Sequence, residues 1–422
     1  MSHLFHPYTP FSAIQAGDFP HIVRGDGVYL YDDQGKRYVD VVSSWWACAL
    51  GHNHPAIVEA IQQQAGILQH SITGGMTHPN VLALAEQLAH LMPTPDRHIL
   101  FASDGASAVE AALKIAVQYW HNIGRPEKKG LIGMDQGYHG DSLGALGVGF
   151  VDSFHEPYSE IITHTAKLPF PIPTPDDPTG FEASRAVIEA HAEKLAAVIL
   201  EPLCLGSAGM KIYPADYLRA LAACCREHEV LLIVDEIAMG FGRTGKRFAH
   251  NHADIDPDMV CVGKALTGGT MPLSACIVKD TLYDTFSNLG EKDCTFYHGN
   301  TYAGHPIGCA AALAALRIYE AENTVAKSAE KAALMQEKMQ PLEQLACVKE
   351  TRFLGMIGVV ELHHTYAEQM PQIKENLREA GYLFRPLGTV LYLMPPLIIS
   401  IDDLTQAINA LADALPMSSS IP

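Results

Sequence analysis

From about residue 55 to residue 310, apolar positions fall into short β-branched runs that alternate with stretches of helical spacing. Residues 56–69, 81–91 and 106–119 repeat their apolar positions at the three-to-four-residue interval of an amphipathic helix. Residues 98–102, 131–134, 196–200, 230–236 and 258–263 are compact apolar runs with the length and composition of buried parallel strands. This alternation predicts an α/β fold: a mostly parallel sheet covered by helices on both faces. Before residue 55 the pattern predicts short strands at 28–31 and 37–42, separated by Asp26-Gly27, Asp32-Asp33 and Gln34-Gly35 turns. Beyond 310 it predicts helices over 310–321 and 328–342 and strands over 353–361 and 390–394. Residues 151–180, rich in Pro, Thr and Asp, predict a long surface excursion. The expected organisation is a large α/β domain over 56–310 and a small α+β domain built from both chain ends, 1–55 and 311–422.

Composition narrows the function classes. A chain of 422 residues is too long for one simple core, and 48% hydrophobic with 18% charged residues describes a globular protein with a sizeable interior. A net charge of −18 argues against nucleic acid or an anionic membrane as partner, because either needs a basic face. Nine cysteines without a CxxC pair read as buried thiols in a reducing compartment. The N-terminal residues lack the basic region and apolar core of a secretory signal, and no run of about 18 apolar residues is present to span a bilayer. A cytoplasmic location is expected. No metal is expected either: His52-Asn-His54-Pro lacks a third ligand and a second pair, and reads as a turn that closes before a helix.

Two charged groups carry the chemistry. The apolar run that begins at Val230 ends at Asp235-Glu236, and the run that begins at Asp258 ends at Lys264. Charged residues at the C-terminal ends of parallel strands face the crevice where open α/β sheets bind ligands. Adjacent strand ends would put a carboxylate and an amine in one pocket. That pair suits pyridoxal 5'-phosphate: a lysine to bind the aldehyde and an acid to hold the pyridine nitrogen protonated. Glycines follow both, in Gly240-Phe-Gly-Arg-Thr-Gly245 and Leu266-Thr-Gly-Gly-Thr270, as close approach of backbone to a cofactor requires. Ser103-Asp-Gly-Ala-Ser107 lies between a strand and a helix, where free N–H groups suit a phosphate, although a capped helix start is the commoner meaning of such a turn. Gly137-Tyr-His-Gly-Asp141 offers a ring to stack on a flat cofactor, with His139 read as structural.

In this order the phosphate turn, Gly-Tyr-His-Gly, Glu201-Pro, Asp235-Glu236, Gly-Lys264 and His298-Gly-Asn-Thr301 resemble the class III, pyridoxal-phosphate-dependent aminotransferases over nearly the whole chain. The resemblance implies the type I fold of such transferases. More selective pieces are His6-Pro-Tyr-Thr9, Ser43-Ser-Trp-Trp46, Ala116-Val-Gln-Tyr-Trp120, the Gly263 to Met271 stretch, and Arg385-Pro-Leu-Gly with Tyr392-Leu-Met-Pro-Pro396. They resemble the branch of that family that aminates 8-amino-7-oxononanoate with S-adenosyl-L-methionine as donor, a step of biotin biosynthesis.

The resemblance assigns roles residue by residue. Lys264 is the cofactor-binding lysine and proton shuttle, Asp235 the partner of the pyridine nitrogen, and Tyr138 the tyrosine that flanks cofactor and substrate. Gly105 and Ala106 fall at the phosphate turn, where Asp104-Gly105-Ala106 departs from the family's Ser-Gly-Ser. Asn300 and Thr301 are further cofactor ligands; Thr301 comes from the neighbouring subunit, which implies a homodimer with shared active sites. Gly299, Tyr8, Trp45, Trp46, Asp141, Arg385 and Tyr392 are implied at the substrate. Among them Arg385 would fork onto the carboxylate that each substrate carries, and Asp141 would meet a substrate cation. Trp46 has core packing as an equal alternative. Arg243 either shapes the pocket or pairs with Asp141 or another acid. The rival activities are another class III aminotransferase that uses an ω-amino acid, a diamine or lysine as donor, and a catalytically silent protein of the same fold.

Overall fold

The computed structural model describes residues 3–16, 19–163, 165–287 and 293–416; Met1, Ser2 and the last six residues of the expected small domain lie outside these. The central sheet has seven strands. In sheet order they are Arg97–Ala102, Ser274–Lys279, Met259–Val262, Leu231–Asp235, Leu195–Leu200, Gly130–Met134 and Lys167–Leu168. All neighbours pair in parallel except Ser274–Lys279, which is antiparallel to both of its own. Sequential side chains of the Leu231–Asp235 strand go to opposite faces: Leu231 and Ile233 join the core under helix Gly105–Asn122, and Leu232 and Val234 join the other. Burial on both faces is why such strands read as continuous apolar runs.

Helix Gly105–Asn122 presents Ala108, Ala112 and Ala116 to the sheet, small side chains that let helix and strands approach closely. Both chain ends meet in a four-stranded sheet of Ile22–Asp26, Tyr29–Asp32, Arg37–Asp40 and Tyr382–Leu383. A separate antiparallel sheet joins Val348–Leu354, Ile357–Leu362 and Val390–Leu393. The single strand expected over 353–361 is therefore a hairpin. Gly355 makes its turn at φ +55°, where a Cβ would stand 2.3 Å from the Thr244 carbonyl carbon. The excursion at 151–180 also holds more structure than its composition suggests. It contains helix Asp152–His155, a 3-10 turn over Glu156–Ile161 and the edge strand Lys167–Leu168. Apolar Val151 and Leu168 anchor it in the interior. Among the described residues no helix is long and apolar enough to cross a membrane. All nine cysteines are buried free thiols.

At the end of the sheet where the chain enters the Leu195–Leu200 and Leu231–Asp235 strands, Lys128 is 1% exposed. Its ammonium donates to the carbonyls of Ala192, Leu195 and Glu229 at 2.9, 3.2 and 2.8 Å, and lies 4.5 Å from the Trp120 ring. Three chain segments thus share one cation. Lys128→Met fills the space but leaves three carbonyls without this donor, so we expect unfolding in urea to shift by about 3 kcal/mol with the circular dichroism of the folded chain unchanged. An unaltered urea midpoint would refute this role.

Candidate active site

Because Leu231–Asp235 and Met259–Val262 are neighbours in the sheet, with Asp235 in register with Cys261, Asp235 and Lys264 emerge side by side. They line one cavity of about 640 Å³ together with Trp46, Gly105, Ala106 and Tyr138. Lys264 opens a 3-10 turn at φ +43°, a left-handed conformation that a lysine holds only at a cost of about 1 kcal/mol. Its Nζ lies 5.5 Å from the Trp46 ring and forms no ion pair among the described residues. Burial lowers its pKa, an effect partly offset by the charges of Asp235 and Glu201, which raises the share of neutral, nucleophilic amine.

Asp235 is held on both oxygens. Oδ1 accepts the N–H of Ile237 at 3.1 Å, and Oδ2 lies 2.8 Å from His139 Nδ1. A carboxylate partner makes Nδ1 the donor, so His139 fixes the acid's orientation. His139 is thus a partner of the acid rather than scaffolding alone; its two-residue distance from a turn glycine gave no sign of this. In the sequence Glu201 stands out only as part of a motif. It is buried, and its two oxygens accept the N–H groups of Tyr138 and Gly206, each at 3.0 Å. Desolvation pushes its pKa up to about 7.

At the opposite end of the cavity, helix Gly105–Asn122 begins. The Asp104 side chain accepts the N–H of Ser107 at 3.0 Å and its carbonyl accepts that of Ala108. Asp104 is therefore the helix cap, which resolves its presence beside an expected phosphate. The N–H groups of Gly105 and Ala106 precede the first intrahelical bonds and face the cavity's positive helix end. Gly140, at φ +118°, passes so close that a Cβ there would meet Ala106 Cβ at 2.4 Å. Any side chain at 140 would displace this turn.

Four consecutive residues, Ser43 to Trp46, adopt φ between +44° and +71°, a left-handed turn that periodicity could not foretell. It is tied down from several sides. Ser43 Oγ donates to the Met394 carbonyl at 2.7 Å, Ser44 Oγ to Asp40 at 2.8 Å, and Trp46 Nε1 to Tyr392 Oη at 3.1 Å. Arg243 donates to the Pro395 carbonyl and to Ser43 Oγ. Its side-chain partners are this turn and the segment just past the Val390–Leu393 strand, not Asp141. The turn brings Trp46 into the cavity wall and Trp45 to its rim. Tyr392, expected against substrate, is 1% exposed and stands behind Trp46.

At the rim, the Arg385 guanidinium lies 3.3 Å over the Trp45 ring and 5.8 Å from the Tyr8 ring. It has no acidic partner among the described residues, and burial lowers its pKa while leaving it charged. Tyr8 meets Trp45 edge-on at 5.3 Å and donates to Asp141 Oδ1 at 2.7 Å. Of the remaining expected site residues, Asn300 Oδ1 accepts the N–H of Ser103 at 3.3 Å. Gly299 and Thr301 are exposed and do not line this cavity. His52, discounted as a metal ligand, lies 2.9 Å from Asp40.

A family model for "Aminotransferase class-III" matches residues 13–415. The chain belongs to the class III aminotransferases. Within the family it is 38% identical to the adenosylmethionine-8-amino-7-oxononanoate aminotransferase of Synechococcus elongatus over 98% of each chain. It is 36% identical to the enzyme of that name from Anoxybacillus flavithermus, over 98% of this chain and 95% of the relative. The crystal structure of the Methanocaldococcus jannaschii enzyme of that name superposes with a TM-score of 0.93 at 35% identity, covering 98% of this chain and 96% of the other. An amine transaminase from an uncultivated Pseudomonas species, solved with pyridoxal phosphate bound, gives 0.91 at 33% identity and 98% coverage of both. The fold is type I of the pyridoxal-phosphate-dependent transferases. Class III aminotransferases depend on that cofactor, and the residues here fit it. The cavity holds an amine without a counter-ion, an oriented carboxylate, a tyrosine ring, and two helix-end N–H groups for a phosphate.

Proposed function

We propose that this aminotransferase converts 8-amino-7-oxononanoate to 7,8-diaminononanoate with S-adenosyl-L-methionine as amino donor, in a ping-pong reaction of biotin biosynthesis. The observation that carries the substrate assignment is Arg385: a guanidinium without an acidic partner, stacked on Trp45 at the rim of the Lys264 cavity. Both substrates end in a carboxylate, and a planar fork of N–H donors binds one in two-point fashion. The names borne by the curated relatives support the same reading. The amine transaminases of similar fold leave another donor as the alternative.

Bound in this cavity, pyridoxal phosphate supplies an aldehyde that condenses with amines and a ring that accepts the electron pair freed when a Cα–H bond breaks. The chain's residues do the rest. Gly105 and Ala106 N–H groups hold the phosphate, with Asn300 beside them and Thr301 supplied by a second copy in a homodimer. Asp235, oriented by His139, keeps a proton on the ring nitrogen. Lys264 Nζ would hold the cofactor through its aldehyde until the donor's amine takes its place, and the freed amine would then carry the proton at substrate Cα. Tyr138 covers the ring, Trp46 and Trp45 wall the substrate, and Asp141 with Tyr8 meets its cation. The proposed setting is the cytoplasm.

The test is spectroscopic. The yellow holoenzyme should lose its visible band on addition of S-adenosylmethionine and regain it on addition of 8-amino-7-oxononanoate. A band indifferent to S-adenosylmethionine but bleached by lysine or another amine would move the donor. A chain that takes up no pyridoxal phosphate would overturn the reading.

A further inference from the structure

His155 has no part in the reading above, yet it stands directly behind the proposed cation site. It ends the helix Asp152–His155 and is 2% exposed. Its Nδ1 accepts the N–H of Val151 at 3.0 Å, which fixes the neutral ring's proton on Nε2. That Nε2–H has no hydrogen-bond partner. Asp141 Oδ1, the oxygen that takes the Tyr8 hydroxyl, lies 3.6 Å from it, within ion-pair range but beyond a hydrogen bond. The ring is clamped in place. Tyr138 lies near-parallel to it at 6.0 Å, and Phe150 and Phe154 meet it at steep angles at 5.6 and 5.9 Å.

A buried donor left without an acceptor costs about 1–3 kcal/mol, so its fixed placement beside a carboxylate calls for a reason. Polar contacts of an active site are often long in the ligand-free state and shorten when substrate binds. We propose that His155 is a positioning residue for cation recognition: its Nε2–H closes on Asp141 Oδ1 when a substrate cation engages the other oxygen. The inference rests on the proposed donor, whose sulfonium is that cation. Tyr8 and His155 then converge on Oδ1 and leave Oδ2 for the substrate. Both are neutral donors, the imidazole because burial lowers its pKa, so they orient the carboxylate without cancelling its charge.

Two variants separate the N–H from the ring. His155→Phe keeps an aromatic ring against Tyr138 and removes the N–H; His155→Gln keeps an N–H near Nε2 and gives up the stacking. Measured in the holoenzyme are the KM for S-adenosylmethionine and the KI of S-adenosylhomocysteine, the thioether that lacks the positive sulfur. His155→Phe should raise the sulfonium's KM about tenfold, the loss of about one charge-assisted hydrogen bond, and leave the thioether's KI within about twofold. His155→Gln should return the sulfonium's KM to within about threefold of wild type. Equal weakening of both ligands, no weakening, or a Gln variant no better than Phe overturns the inference alone. A wild type that does not use S-adenosylmethionine overturns the donor assignment, and the inference falls with it.

Discussion

Lys264→Ala is expected to lower transamination by at least about four orders of magnitude while the chain still folds and takes up pyridoxal phosphate. The size follows from two roles lost at once. Nζ is the cavity's amine, placed to bind the aldehyde and, once freed, to move the proton at substrate Cα. Neither Tyr138 nor Glu201 can replace it. Burial and the nearby Asp141 hold the phenol protonated at any working pH, and both oxygens of Glu201 are committed to backbone N–H groups. Uptake survives because the phosphate and ring sites, Gly105, Ala106 and Asp235, are separate from the amine. The readout besides activity is covalent attachment. Borohydride treatment followed by mass spectrometry should find the cofactor fixed to Lys264 in the parent chain and absent from the variant. A variant that retains both attachment and turnover would show that another amine does this work.

How much of this site a reader could see in the sequence depends on how local its cause is. Asp235 and Lys264 were legible because each ends a buried apolar run, and parallel neighbours deliver their C-terminal residues to one crevice. The helix start at Gly105 was legible from its capping turn. What could not be read are arrangements set by distant segments. The hairpin at Gly355 was hidden in one apolar stretch, because Phe353 and Leu354 before the turn and Met356 and Ile357 after it are all apolar. The left-handed run Ser43 to Trp46 has no period to detect, and its supports, Met394 and Arg243, lie some 200 to 350 residues away. Tyr392 opens the Tyr392-Leu-Met-Pro-Pro396 piece that suggested substrate contact, yet it is buried and its hydroxyl oxygen accepts from Trp46 Nε1. His139, Glu201 and His155 carry their meaning only through partners: Asp235, the Tyr138 amide and Asp141.

Asp235→Asn is the sharper test of how the chain tunes its cofactor, because the amide keeps the shape and removes the charge. A carboxylate beside the ring nitrogen raises that nitrogen's pKa by favouring its protonated form; without it the pKa falls. In the parent chain the nitrogen therefore stays protonated through the neutral range, and turnover has no dependence on this group there. In the variant the protonated fraction should shrink about tenfold for each pH unit above the lowered pKa, so activity should rise as pH falls. The expected loss near neutrality is about 10²–10³-fold, the range seen when a charge-stabilising group is removed from an active site. His139 adds to it, because Nδ1–H would face either an amide oxygen or a repelling NH2 in place of Oδ2. Covalent attachment to Lys264 should persist, since the aldehyde end of the site is untouched. The decisive measurement is the pH profile of the first half-reaction with S-adenosylmethionine. A variant profile parallel to that of the parent would mean that Asp235 holds the cofactor in place without setting its protonation.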